Sequence, residues 1–266
     1  MTSFYRNSIW FLLFSIVFFT SCTQNNSPAR PKQSMRQQLV VATMGASLMY
    51  PENGWVEKAC ENQNMLCLNK AVSGENTRHF AQRLWKNEYA TDEELSLIDI
   101  LLIQFANCQD VYGDSTTLLP TADDYTRNYI EFSDTLFMEY SRAQQMDYIL
   151  KKWQQICEEH NKPMHIIFVT HWHDGRTIYN ESVRKLAKRW NADVCELDKN
   201  IGFTKDKPLP DGRQPSLLYA VDTEMIGDTL FGWHPLRGKE GEYIQSVMAD
   251  ILHEKLVLYV TTNELR

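Results

Sequence analysis

Leu39-Val40-Val41-Ala42-Thr43-Met44-Gly45-Ala46-Ser47-Leu48 is the stretch whose reading decides the fold. A short apolar run stops at a glycine and offers a serine just past its end. In open α/β sheets, ligands bind outside the carboxyl ends of the strands. Ser47 therefore stands where a nucleophile would be useful. Working outward, apolar runs and helical patterns alternate. Strands are predicted at 64–69, 98–105, 164–170 and 193–197, and helices at 54–62, 74–87, 139–160, 177–190 and 236–254. The 98–105 run is apolar almost throughout, as a strand covered on both faces requires. This alternation predicts an α/β fold with a mostly parallel sheet and right-handed crossovers. Residues 107–135 are expected to be a long loop with a short helix, and long loops are usually functional. Residues 200–228 are expected to be irregular.

The chain has 266 residues, 43% hydrophobic and 23% charged, which suits one large domain. A formal net charge of -7 and the lack of a basic stripe argue against nucleic-acid binding. At the N-terminus, Arg6 precedes an uncharged apolar run from Ser8 to Thr20 that is too short to span a bilayer. Residues 1–21 therefore read as a signal peptide. Phe19-Thr20-Ser21-Cys22 resembles a bacterial lipoprotein box, which implies lipidation of Cys22 and a membrane-anchored place in the cell envelope. Residues 22–36 are polar, with Pro28 and Pro31, and fit a flexible tether. The folded domain is then 37–266. Beyond Cys22 the cysteines are odd in number and show no metal-ligand spacing. A Cys60–Cys67 pairing stays open.

Four patches fall at strand ends or loops. They are Gly45-Ala46-Ser47-Leu48, the Asn69 to Gly74 segment, Ile103-Gln104-Phe105-Ala106-Asn107, and Gly232-Trp233-His234-Pro235. Their order, Ser, Gly, Asn, His, resembles the SGNH (GDSL-type) hydrolase family over nearly all of the mature chain. The resemblance implies a three-layer α/β/α, flavodoxin-like fold and a serine esterase working without a cofactor or metal. The chemistry is sound on its own terms. Acyl transfer needs an activated hydroxyl, a base and donors aimed at the developing oxyanion. Ser47 would attack, His234 would carry the proton, and the Ser47 and Gly74 N–H groups with the Asn107 amide would hold the oxyanion.

The family pattern is not matched everywhere. Ala46 stands in place of the usual Asp, Phe231 stands where Asp is expected three residues before the histidine, and Phe105 and Cys108 replace Gly and Asp. The acid that orients His234 must then come from elsewhere. Asp228, six residues upstream, is the first choice, with Asp222 or a backbone carbonyl as alternatives. Thr170-His171-Trp172-His173-Asp174-Gly175 ends a predicted strand facing the same crevice. It invites a zinc reading, but Asp174 directly follows His173, so the His-x-His-x-Asp-His pattern of metallo-β-lactamases is not completed. A pocket wall is the better expectation, with His171, Trp172, His173 and Trp233 touching substrate. The expected activity is removal of acetyl or other short acyl groups from a carbohydrate. The alternatives are a non-catalytic glycan- or partner-binding domain and an O-acyltransferase.

Overall fold

The first strand, β1 (Val40–Gly45), is buried along its whole length. It pairs in parallel with β2 (Leu66–Leu68) on one side and β3 (Ile100–Gln104) on the other. β4 (Ile166–Val169) and β5 (Asp193–Cys195) extend the sheet to the order β2-β1-β3-β4-β5, every pairing parallel. This is the flavodoxin-like order, with its topological switch beside β1. The computed structural model describes residues 38–105 and 142–264. Cys22, the leader and tether, Asn107, Cys108 and the predicted 107–135 loop lie outside the described residues.

Helices flank the sheet: α1 (Trp55–Asn62), α2 (Thr77–Trp85), α3 (Asp92–Leu97), α4 (Arg142–Glu159), α5 (Thr177–Trp190), the short α6 (Leu197–Asn200) and α7 (Gly238–Glu264). Helix α1 packs on α7, and α2 on α4. Each helix buries one stripe. In α5 the buried apolar side chains Tyr179, Val183, Leu186 and Ala187 recur at helical spacing. Asn191 then ends that helix in the left-handed region, at φ 47°. Under the sheet, Tyr89 meets Phe80 and Trp153 edge-on, at 5.1 and 6.0 Å. Truncating a buried aromatic such as Trp153 costs about 3–5 kcal/mol. Among the described residues no helix is long and apolar enough to cross a membrane. Cys60, Cys67, Cys157 and Cys195 are free thiols, so the Cys60–Cys67 bridge is not made.

Two departures from the sequence expectations matter. Helix α3 was not expected; a capping box between Thr91 and Glu94 starts it. More important, the 200–228 stretch, expected to be irregular, ends in the first strand and the turn of a hairpin. β6 (Thr223–Ile226) and β7 (Thr229–Gly232) pair antiparallel with Ile226 opposite Thr229, leaving Gly227-Asp228 as the turn. Gly227 has φ 58°, the glycine-first geometry of a type II′ turn.

Candidate active site

The serine is placed by a close approach. A Cβ on Gly45 would lie 2.7 Å from the Gln104 carbonyl oxygen and 2.8 Å from Met49 Sδ. Only glycine lets β1 end this near β3. The chain then enters a tight 3₁₀ turn, Ser47–Met49. Trp55 Nε1 donates to Leu48 O (2.9 Å), and Asn69 Nδ2 donates to Met49 O (2.7 Å). Arg237 closes the clamp, donating to Ser47 O (2.9 Å) and Tyr50 O (2.8 Å). It follows His234 by three residues, so it ties the serine turn to the histidine loop. Arg237→Met should therefore lower kcat about 10–100-fold with little change in KM, because small displacements of reacting groups carry penalties of that order. Steady-state kinetics on a chromogenic acetate, with Arg237→Lys as the milder variant, would check it.

Ser47 Oγ lies 2.7 Å from His234 Nε2. On the far side of the ring, His234 Nδ1 lies 2.8 Å from Asp222 Oδ2 and 3.0 Å from Oδ1. The His234 backbone N–H also donates to Asp222 Oδ1, at 2.8 Å. A carboxylate at Nδ1 keeps the proton there and leaves the Nε2 lone pair for the serine hydroxyl. The hairpin register makes this possible. Beyond Thr223 and Gly232, Trp233 N donates to Asp222 O (2.9 Å) and Val221 N to His234 O (2.8 Å). Residues far apart in sequence thus become cross-strand neighbours. Asp228, the acid expected from sequence, sits exposed in the hairpin turn, at the opposite end of the ladder. The carboxylate against His234 is Asp222. The signal that could have located it was Gly227-Asp228 between two short alternating runs.

Gly74 occupies the third position of a turn closed by Glu75 N donating to Val72 O (3.0 Å). Its φ of 75° is the type II value that favours glycine. Val72 N donates to Gly45 O (3.1 Å), which straps this turn to the end of β1. Gly74 was expected to open a helix; α2 starts only at Thr77, capped by Asn76. Behind the turn, Glu75 is buried and pairs with Arg83 at 2.8 Å. Burial pushes its carboxyl above the usual range against the pull of Arg83. Among the described residues, the N–H groups of Ser47 and Gly74 have no acceptor. Asn107, expected to complete the oxyanion set, lies outside the described residues.

His171, Trp172 and His173 are buried, at 0%, 0% and 1% exposure, so they do not line an open substrate wall. They form a socket for the hairpin instead. Trp172 Nε1 donates to Trp233 O and His173 Nε2 to Gly232 O, each at 2.9 Å. Phe231 stacks on His173 at 5.0 Å, and Trp233 on His171 at 5.3 Å. Arg176 lies 3.8 Å over the Trp233 ring and grips Glu224 of β6 through two contacts. Arg176 and Glu224 carried no signal in the sequence reading. Trp233 is the one member of the predicted substrate wall that stays partly exposed, edge-on to His234 at 5.1 Å.

His171, His173 and Glu224 bring possible metal-ligand atoms within 4.8 Å of one another. Their chemistry does not suit a cation. His173 Nδ1 accepts from Gly175 N (3.2 Å), so the proton rests on Nε2 and faces Gly232 O and Glu224. Glu224 is already held by Arg176. Burial alone would raise the Glu224 carboxyl, yet hydrogen bonds from His173 and Arg176 hold it below the usual range.

Burial first, then the charges of His173, Arg176 and His234, push His171 well below the ordinary imidazole value. Among the described residues neither ring nitrogen finds a partner at full hydrogen-bond geometry, and a weak backbone contact from His173 offsets little of the downward push. The folded state keeps it neutral while the unfolded chain takes up a proton below about pH 6.5. Stability from this residue is therefore present above that pH and lost as pH falls through it, by up to about 1.4 kcal/mol per unit. Urea midpoints at pH 7.5 and 5.5 should show a smaller drop for His171→Phe than for the unsubstituted protein.

Several solved structures are similar to this one. The chain is similar to a lipase/acylhydrolase from Enterococcus faecalis at 12% identity, covering 82% of this chain and 97% of that one, TM-score 0.45. It is similar to the lipase Lip_vut3 from a goat rumen metagenome at 13% identity, with 82% and 97% coverage and a TM-score of 0.47. For the acetyl xylan esterase AlAXEase the values are 14%, 82%, 99% and 0.48. No curated protein matches in sequence. A family model matches residues 38–258, from just before β1 well into α7, and by that match the chain belongs to the family described as a domain of unknown function, DUF5040.

Proposed function

We propose that the protein is a serine ester hydrolase that removes acetyl or another short acyl group from a carbohydrate. The observation that carries this reading is the unbroken relay from Ser47 Oγ through His234 to Asp222. Ser47 attacks the ester carbonyl as its proton passes to His234 Nε2. The tetrahedral oxyanion is held by the Ser47 and Gly74 N–H groups, with the Asn107 amide as the expected third donor. Collapse expels the sugar hydroxyl, which takes the proton from His234 and leaves an acyl-serine. Water, deprotonated by the same ring, attacks that acyl group; the Ser47 Oγ–acyl bond then breaks, Oγ takes the proton back from His234, and the carboxylic acid is released. Asp222 holds the ring and stabilises its charged form throughout.

The site's openness favours a bulky polar substrate. The His234 and Asp222 side chains are 30% and 48% exposed. Partly exposed Trp233 offers an aromatic edge beside the reacting groups. Lipidation at Cys22 would hold the enzyme at the cell envelope, within reach of surface glycans. The ground for a non-catalytic domain is the loss of the family's Asp at 46 and 231; Asp222 beside His234 Nδ1 weighs against the second of these. The test is turnover of p-nitrophenyl acetate together with labelling by a serine-directed phosphonate, its adduct mapped by mass spectrometry. An adduct on Ser47 and saturable turnover are expected. No turnover on aryl acetates or acetylated sugars, with Ser47 unlabelled, would end the proposal.

A further inference from the structure

The hairpin has a second side. Between it and the first turn of α5 lies a half-open cavity of about 490 Å³, whose lining includes Arg176, Ile178, Lys205, Gln214, Ile226 and Phe231. That volume falls within the range of small-molecule sites. Its floor is apolar, from Ile226 and Phe231, with the more exposed Ile178 at the mouth. Its rim both donates and accepts. Arg176, which precedes α5 as its N-cap residue, gives no side-chain cap, so the first-turn amides of a 14-residue helix are left to other partners. Lys205 Nζ reaches Thr177 Oγ1 at 3.3 Å. Gln214, only 7% exposed, gives its amide N–H to Lys205 O at 3.3 Å, and its side-chain oxygen has no partner among the described residues. Asp206 adds a carboxylate to the rim.

An apolar floor ringed by mixed donors and acceptors, with Lys205 balanced by Asp206, matches neither a lipid chain nor a simple anion. It matches a pyranose, which has a C–H face and hydroxyls that both donate and accept. Phe231 lines the cavity and precedes His234 by three residues. At about 3.3 Å per strand residue, this wall begins roughly 10 Å from the histidine. We propose that the cavity binds one pyranose ring of the glycan that carries the ester, away from the ring being deacylated. The choice of ligand rests on the carbohydrate-ester reading above.

The test is a ligand-observed NMR titration of the full chain and of Ser47→Ala with the methyl glycosides of xylose, glucose, galactose and N-acetylglucosamine. At least one should saturate both proteins with a Kd below about 50 mM. Ile178 is 40% exposed, so Ile178→Trp can fill the cavity mouth without disturbing the core. It should weaken that binding about tenfold or more and leave p-nitrophenyl acetate turnover within about twofold. Saturation by none of the four sugars, or saturation that Ile178→Trp leaves unchanged, would overturn the proposal. Failure of the esterase reading would appear separately, as absent aryl-acetate turnover in the unsubstituted protein.

Discussion

Asp222→Asn should lower turnover of a chromogenic acetate about 10⁴-fold, while Asp228→Asn should leave it within about twofold. The asparagine is nearly isosteric, so the hairpin should keep its shape. What changes is the group facing His234 Nδ1, now 2.8 Å from a carboxylate oxygen. An amide N–H turned toward Nδ1 forces the ring proton onto Nε2, where it meets the Ser47 hydroxyl instead of accepting from it. An amide also leaves the imidazolium of the transition state without a counter-charge. Steady-state kinetics of both variants, with circular dichroism as a fold control, decide the matter. Equal losses in the two variants, or none in Asp222→Asn, would mean that the acid of this site has been misplaced.

The different legibility of the two aspartates has a physical basis. The run that became β3 was plain because a strand covered on both faces must be apolar throughout, and Ile100–Gln104 is buried at every position. Ser47 and His234 were plain because each stands at an element's edge beside a glycine. Asp222 was not, because its partnership depends on a register that pairs Thr223 with Gly232 across a two-residue turn. Prolines at 208, 210 and 215 made the approach to that turn look irregular. The sequence sets His171 and His173 at the carboxyl end of β4, but nothing in it shows that they are buried. Their burial comes from Phe231 and Trp233, which the hairpin lays over them. Arg237 had no sequence signal, since its partners are backbone carbonyls 187 and 190 residues away.

Ser47→Ala is expected to lower kcat about 10⁶-fold, and adding Asp222→Asn should lower it no further. The reason is that an acid can assist only through the base, and the base only through the nucleophile. With the hydroxyl gone, His234 has no serine proton to accept and its orientation ceases to matter. On the proposed mechanism, what should remain is oxyanion stabilisation and substrate positioning, about 10³–10⁴ over water, supplied by Gly74 and its neighbours and not by the relay. That residue of activity is large enough to measure in a purified variant and gives the double substitution room to fall. A further drop of tenfold or more would show Asp222 acting on the substrate or the fold by a route that bypasses Ser47. Coincidence of the single and double variants would bind the three side chains into one catalytic unit.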